Sequence, residues 1–172
     1  MSDCKENDLP AIREFDGLDW FFTKTYRRNL PHWELKGSTY FITTRVVGEL
    51  GSPFLNPELA QLVIEALFRY HEKKYLLHAY VVMPDHLHLI IKPLDDVTLA
   101  QIYKEFKGST AFYINKRLNR RGQFWQAENF DHLIRDGMGL RLKWEYIKEN
   151  PVKANLVAKA EDYPFSNFYN PS

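Results

Sequence analysis

The sequence predicts an α+β protein with a ferredoxin-like, split βαβ fold: one antiparallel sheet with helices on one face, followed by an added C-terminal helix. The predicted elements run strand, helix, strand, strand, helix, strand, helix, which is the order of that fold plus one helix. The chain has 172 residues, of which 45% are hydrophobic and 26% charged, as in single globular domains. We therefore predict one domain over residues 20–172, after an acidic, loosely held N-terminal arm over residues 1–19.

Strand and helix signals in the first half of the chain predict four elements. A run rich in β-branched and aromatic residues, STYFITTRVV, predicts the first strand. A helix should follow, because Asn56 supplies a cap and Pro57 suits the first helical position. Pro84 and Asp85 both favour turns and alone separate two strand-like runs, which predicts a hairpin. The predicted bounds are a strand over 38–47, a helix from Asn56 to about Lys73, and strands over 75–83 and 86–92.

The second half of the chain predicts a helix, a strand and a last helix. Thr98 and Gln101 are three residues apart and form a capping box, which opens a long helix. The last helix should stop at Pro151, because proline has no N–H to donate and restricts the residue before it. The predicted bounds are a helix from Thr98 to about Leu118, a strand over 129–134 and a helix over Leu140–Asn150.

The composition favours a cytoplasmic protein without membrane contact. No apolar run approaches the roughly 20 residues that span a bilayer. The first residues, MSDCKENDLP, lack the basic and apolar segments of a secretory signal. The single cysteine, Cys4, can form neither an internal disulfide nor a cysteine-based metal site.

Positive charge is concentrated in one segment, although the 23 basic residues nearly balance the 22 acidic ones overall. Residues 1–19 carry six acids and two bases, whereas residues 101–122 carry six bases and one acid. Such a concentration is typical of proteins that contact a phosphate backbone. We call these six residues the basic stripe: Lys104, Lys107, Lys116, Arg117, Arg120 and Arg121.

Two histidines open the strand HLHLIIK. Because alternate side chains of a strand share a face, His86 and His88 should lie on one face with Ile90. The intervening leucines then face the core, and the imidazoles lie on the open face. Two imidazoles about 7 Å apart along a strand can bind one cation. A pair of this kind is more often simply polar surface, so the pair alone does not establish a metal site.

A tyrosine and an asparagine lie one turn apart on the last predicted helix. At about 100° per residue, Leu140, Trp144 and Ile147 form the apolar stripe that should dock this helix. Tyr146 and Asn150 then share its flank. They could supply a nucleophile and a metal ligand, or equally an aromatic residue packed at the sheet edge and a helix cap.

Four sequence blocks resemble the single-tyrosine HUH transposases, and within them the REP-associated tyrosine transposases of bacterial repeated palindromes. They occur in the order of that family, and the resemblance covers about residues 37–168. Two positions depart from the family pattern: Asn155, just after the third block, stands where glycine is common, and Phe165 stands where tryptophan is common. The blocks are VVMPDHLHL (81–89), GQFWQ (122–126), YIKENPVKA (146–154) and YPFS (163–166).

The resemblance implies a metal-dependent endonuclease and transposase that binds single-stranded hairpin DNA, such as a REP element, and carries out DNA recombination by transposition. It implies that Tyr146 is the nucleophile, which forms a 5′-phosphotyrosine before rejoining. It also implies that His86, His88 and Asn150 bind the metal, Mg²⁺ or Mn²⁺. The resemblance favours a monomer, with a dimer as the alternative.

Several alternatives stay open beside this interpretation. Tyr103 and Tyr113, on the helix of the basic stripe, are competing nucleophiles. The basic stripe would bind phosphates, and Trp125 could stack on a base or lie in the core. A non-cleaving module that binds hairpin DNA or RNA would share the fold. A nucleotide hydrolase with three alternating histidines is disfavoured, because the third position is Ile90.

Overall fold

The computed structural model describes residues 37–94 and 96–170, so the predicted arm over residues 1–19 lies outside the described residues. Four strands form one antiparallel sheet in the order β2-β3-β1-β4, which confirms the predicted sheet. No helix of the described part is long and apolar enough to cross a membrane. The elements are β1 Thr39–Arg45, α1 Pro57–Tyr70, β2 Tyr75–Val82, β3 His86–Pro93, α2 Leu99–Arg117, β4 Phe130–Ile134 and α3 Gly137–Lys153.

The two faces of the sheet carry different layers. Helices α1 and α2 cover one face, where Leu87, Leu89 and Ile91 of β3 enter the larger hydrophobic core of the described residues. Helix α3 covers the other face, where Ile90 and Ile147 belong to a smaller apolar cluster. We call these the α1–α2 face and the α3 face. The added helix thus closes the face that the sequence predicted to be open.

Side chains predicted as helix caps do cap α1 and α2. The Asn56 side chain accepts a hydrogen bond from the Glu58 amide at 2.9 Å. Both halves of the predicted capping box are present, since Thr98 and Gln101 each accept from the other's backbone amide. These bonds satisfy N–H groups that have no partner inside the helix, so the starts of both helices follow from local sequence.

The predicted bounds of the last helix are wrong at both ends. The helix starts at Gly137, because the Asp136 side chain accepts from the Gly139 amide at 2.7 Å and caps it. It also continues past Pro151 to Lys153. Proline in the last turn removes a single amide donor, and the Asn150 carbonyl still accepts a hydrogen bond from Ala154 at 3.0 Å. The stop expected at proline therefore comes one turn later.

The segment after α3 forms hydrogen bonds along the outer edge of β2. The Val82 amide donates to the Phe165 carbonyl at 2.8 Å, and the Tyr163 hydroxyl donates to the Val82 carbonyl at the same distance. Asn155 at the start of this segment has a φ of 55°, a left-handed conformation that asparagine tolerates better than most non-glycine residues. That conformation explains how asparagine replaces glycine in the resembled motif.

Candidate active site

The histidine pair lies on the α3 face, in register with polar residues of β1. In the antiparallel pairing, His88 lies opposite Thr43 and His86 lies opposite Arg45. Both histidines alternate with residues of the larger core, as the strand pattern predicted. The pairing therefore places one polar residue of β1 beside each imidazole.

The histidines are buried, which corrects the prediction that they lie on an open face. His86 is 9% exposed and His88 is 3% exposed. Helix α3 packs over this part of the sheet, and the Phe41 ring stacks on the His88 ring with centroids 5.4 Å apart. Burial matters chemically, because a buried imidazole needs partners for its nitrogens.

One His88 nitrogen has a partner and the other has none among the described residues. Its Nδ1 lies 2.8 Å from the Thr43 Oγ1, whereas its Nε2 is buried without a hydrogen-bond partner. Burial, together with the nearby charge of His86, holds the pKa of His88 well below its usual range. His88 is therefore a neutral imidazole, the form that binds metals.

A carboxylate orients His86. The His86 Nδ1 lies 2.6 Å from one oxygen of Asp85, and Arg45 donates to the other oxygen at 2.9 Å. The hydrogen bond with His86 lowers the pKa of Asp85, so Asp85 is ionised and can only accept. His86 therefore donates from Nδ1 to Asp85, and Nε2 is the nitrogen at which a ligand would bind.

Tyr146 lies against this pair from the α3 side. Its ring centroid is 5.2 Å from that of His88 and 5.7 Å from that of Phe41. The apolar residues predicted to dock α3 do so, with Ile147 fully buried. The structure therefore brings the predicted nucleophile and both predicted metal-binding histidines into one place.

The Tyr146 hydroxyl is weakly acidic in this setting. Burial raises the pKa of Tyr146, while a hydrogen bond with Asn150 and the positive charge of Arg45 act in the opposite direction. Tyr146 is thus a phenol at neutral pH, and its hydrogen-bond partner is the asparagine predicted one turn away. The predicted pairing of these two side chains on the flank of α3 is present in the structure.

These side chains offer both nitrogen and oxygen atoms, a combination that can bind a divalent cation. Among the described residues no group of three His, Cys, Asp or Glu side chains could hold a metal. The predicted set is two imidazoles plus the amide oxygen of Asn150, which hydrogen-bonds Tyr146. The buried, unpartnered Nε2 of His88 has the properties of a ligand atom. Imidazole nitrogen and amide oxygen together suit Mn²⁺ at least as well as Mg²⁺.

Comparison with known proteins identifies the family. Residues 53–150, more than half of the chain, match the family described as Transposase IS200 like. The chain belongs to this family. It is 29% identical over 160 residues to the "Putative REP-associated tyrosine transposase" of Haemophilus influenzae, with 84% of this chain and 85% of that protein covered.

A solved structure supports the same conclusion for this IS200-like transposase. It is described as a REP-associated tyrosine transposase bound to a REP hairpin, and it matches with a TM-score of 0.70 at 27% identity. The match covers 81% of this chain and 82% of that one. This IS200-like transposase is therefore a homologue of the REP-associated tyrosine transposases, as its sequence blocks predicted.

The basic stripe of the transposase lies mainly on α2, in the layer on the other side of the sheet from the histidines. Three of its members bind other parts of the chain: Lys107 donates to the Gln126 carbonyl, Arg117 pairs with Glu58, and Arg120 donates to Asn115. Burial lowers the pKa of Lys107 to about 8. The other three side chains are exposed: Lys104, Lys116 and Arg121.

Trp125 lies in the core, so the prediction that it stacks on DNA is corrected. It is 4% exposed, its ring packs against three phenylalanines, and its Nε1 donates to the Thr110 hydroxyl at 2.8 Å. A ring enclosed in this way has no face free for a base. Phe124, at 1% exposed, lies in the same core.

The competing tyrosines lie away from the histidines. Tyr103 packs against the larger core on the α1–α2 face, and Tyr113 lies beside Arg69 of α1. Both are therefore in the layer opposite the histidine pair. Of the tyrosines considered from sequence, Tyr146 contacts a histidine of the pair.

Sequence reasoning missed the residues that orient the histidines. Asp85 was interpreted only as a turn former, and Thr43 and Arg45 only as strand residues. Thr43 and Arg45 alternate along β1 as the histidines do along β3. Pairing the two strands in sequence would therefore have indicated that these residues lie beside the histidines. The Lys143 ammonium, 4.8 Å from the Phe41 ring centroid, adds a cation to the same surface.

Proposed function

We propose that this chain is a metal-dependent single-stranded DNA endonuclease and transposase that cleaves and rejoins hairpin DNA through a 5′-phosphotyrosine on Tyr146. The observation that carries the proposal is the contact between Tyr146 and His88, whose buried Nε2 has no partner among the described residues. Family membership supports it independently. The relatives named above give the substrate class, a REP hairpin.

In this proposal His86 and His88 hold the cation through their Nε2 atoms, and Asn150 contributes its amide oxygen. A bound Mg²⁺ or Mn²⁺ would polarise the scissile phosphate and stabilise the charge on the departing oxygen. Asp85 and Thr43 keep both imidazoles oriented. Arg45 is close enough to act on the pKa of Tyr146, so its charge favours loss of the phenol proton.

The strand-cleavage step is a transesterification. The Tyr146 oxygen attacks phosphorus and loses its proton, the bond from phosphorus to the 3′ oxygen breaks, and that oxygen leaves as a protonated 3′-hydroxyl. The new 5′-phosphotyrosine link is again a phosphodiester. Attack on it by a 3′-hydroxyl restores the phenol and rejoins DNA, so no nucleotide cofactor is consumed.

The basic stripe provides the proposed contact with the DNA backbone. One member, Lys107, donates to the Gln126 carbonyl, and the Gln126 amide donates to the Arg45 carbonyl at 2.8 Å. Gln126 therefore links the Lys107 side chain to the backbone of Arg45. We expect the exposed Lys104, Lys116 and Arg121 to contact phosphates.

A covalent-adduct assay tests the nucleophile. Purified protein is incubated with single-stranded hairpin DNA that carries unpaired flanks and with Mn²⁺ or Mg²⁺, and the products are separated on a denaturing gel. We expect a covalent protein–DNA band for the wild type and for Tyr113→Phe, and none for Tyr146→Phe. Tyr113→Phe is the matched control, because Tyr113 is an exposed tyrosine on the other face of the sheet.

Each other outcome selects a different conclusion. Equal adducts from the wild type and Tyr146→Phe would show that another residue is the nucleophile. Tight hairpin binding without an adduct from any variant would favour the non-cleaving module. Adduct formation that survives complete chelation would remove the metal from the proposal.

A further inference from the structure

An exposed aromatic side chain continues the row of site residues across the sheet. In the strand pairing, His88 lies opposite Thr43, and Thr43 lies opposite Phe130 of β4 on its other side. Directly opposed residues of neighbouring strands share a face, so Phe130 lies on the α3 face with the catalytic residues. Its exposed fraction is 51%, in contrast to the buried His88.

Phe130 is held in place beside the site. Its ring makes a T-shaped contact with Phe41, with centroids 6.4 Å apart and an interplanar angle of 72°. Phe41 in turn contacts both His88 and Tyr146. The contact fixes the ring relative to the reacting groups while leaving about half of the residue open to solvent.

We propose that Phe130 is the stacking platform for an unpaired base next to the scissile phosphate. This inference rests on the proposed function, because it assumes a phosphate held at the histidine pair. Phe130 lies two strand spacings from His88, about 10 Å, which is comparable to the reach from a backbone phosphate to the base of the adjoining nucleotide. Aromatic stacking binds any base, so the site would select single-stranded DNA over paired DNA.

Charge around the ring suits a nucleic acid strand. The Lys143 ammonium lies on the Phe41 ring that Phe130 contacts, and Arg45 lies at the end of the same β1 row. Both cations lie on the same face as Phe130 and would attract the phosphates next to a stacked base. An exposed phenylalanine on a β-strand can instead contact a second copy of the chain. The test below distinguishes a stacked base from a second copy.

Binding is measured in a Tyr146→Phe background, which removes cleavage. Fluorescence anisotropy compares two hairpins that differ at one flanking nucleotide next to the cleavage position, which is either normal or abasic. We expect Phe130→Ala to weaken binding of the normal flank by about 5- to 100-fold and to leave the abasic flank unchanged. Phe130→Trp should keep the preference for the normal flank.

Phe112→Ala is the matched control, since Phe112 is an exposed phenylalanine, 63% exposed, on the α1–α2 face. It should leave the preference for the normal flank intact. If Phe130→Ala keeps that preference, or weakens both hairpins equally, the proposal is overturned. If Phe130→Ala instead converts a dimer into a monomer without changing the preference, a second copy is the occupant, and the proposal fails.

The two proposals fail in different ways. If no covalent adduct forms but Phe130→Ala still loses the preference for the normal flank, the cleavage chemistry is wrong and the stacking site stands. A normal adduct without a Phe130 effect would keep the chemistry and remove the stacking site. No binding to any hairpin would remove both.

Discussion

Strand β3 is buried on both faces of the sheet, but its side chains have different neighbours on each face. On the α1–α2 face, Leu87, Leu89 and Ile91 meet other apolar side chains and form a continuous core. On the α3 face, His86 and His88 are also buried, but beside a carboxylate, a hydroxyl and a phenol. Adjacent residues of β3 therefore have similar burial and very different surroundings.

Under the proposed function, this difference divides stability and chemistry between the two faces. Apolar burial supplies most of the free energy of folding, and it scales with the area removed from water. A buried nitrogen without a partner costs free energy, yet the α3 face retains one on His88. A ligand bound at the proposed site would supply the missing partner.

The sharpest test of this division compares two neighbouring residues. We expect Leu87→Ala to lower the free energy of unfolding by about 2–5 kcal/mol, because it opens a cavity in the larger core. His88→Gln should cost about 1 kcal/mol or less, because glutamine keeps a polar group near Thr43 and opens no cavity in the larger core. Urea denaturation measures both changes.

The same two substitutions should affect formation of the covalent adduct in the opposite order. Leu87→Ala should still form the covalent adduct below its unfolding temperature, whereas His88→Gln should lose it. If His88→Gln destabilises the protein as much as Leu87→Ala does, the histidine is a core residue, and the division between the faces is wrong.

A second prediction concerns the carboxylate that orients His86. We expect Asp85→Ala to weaken Mn²⁺ binding by about 10- to 100-fold, because His86 loses the acceptor that fixes its proton on Nδ1. Isothermal titration calorimetry of the DNA-free protein measures the affinity. Glu58→Ala is the control, since Glu58 is also paired with an arginine but lies on α1. Unchanged Mn²⁺ affinity in Asp85→Ala would contradict the assigned role.

The smallest expected effect is on the pH dependence of stability. The pKa of His88 is lowered well below 6.5 in the folded protein, so the folded state stays neutral as the pH falls through 6.5. The unfolded chain takes up a proton there, and stability falls with falling pH by at most about 1.4 kcal/mol per pH unit from this residue. Above pH 6.5 the contribution is fully retained.

Urea denaturation at pH 7.5 and pH 5.5 measures this dependence. The wild type and Leu87→Ala should lose stability with the same slope, because both keep His88. His88→Gln should show a shallower slope. Parallel slopes in all three proteins would mean that other groups, such as the histidines at 78 and 132, whose pKa values are also lowered, account for the acid sensitivity.

The sequence predicted the strands, the caps of α1 and α2 and the face of each β3 residue, because these depend on neighbours within a few positions. Asn56 and Thr98 cap helices through bonds that span two or three residues. The alternation of His86 with Leu87 follows from the geometry of any strand. Family resemblance added the pairing of Tyr146 with the histidines, which no local pattern contains.

Other features depend on distant contacts and could not be predicted in this way. Burial of the histidines results from α3, which starts about 50 residues later. Trp125 was open to either interpretation until its Nε1 was seen to reach Thr110 across the core. The position of the basic stripe behind the sheet likewise follows from how α2 packs, since its charges are visible in sequence but its layer is not.

The contact between Tyr146 and His88 joins the last helix to the third strand of the same chain. In genetic terms, if the proposed site acts within one chain as in this arrangement, its two halves are inherited together and are not shared between gene copies. A copy that has lost its histidines and a copy that has lost its tyrosine would each remain inactive in the same cell. Selection would then act on each copy alone, so a damaged gene could not persist by borrowing from an intact neighbour.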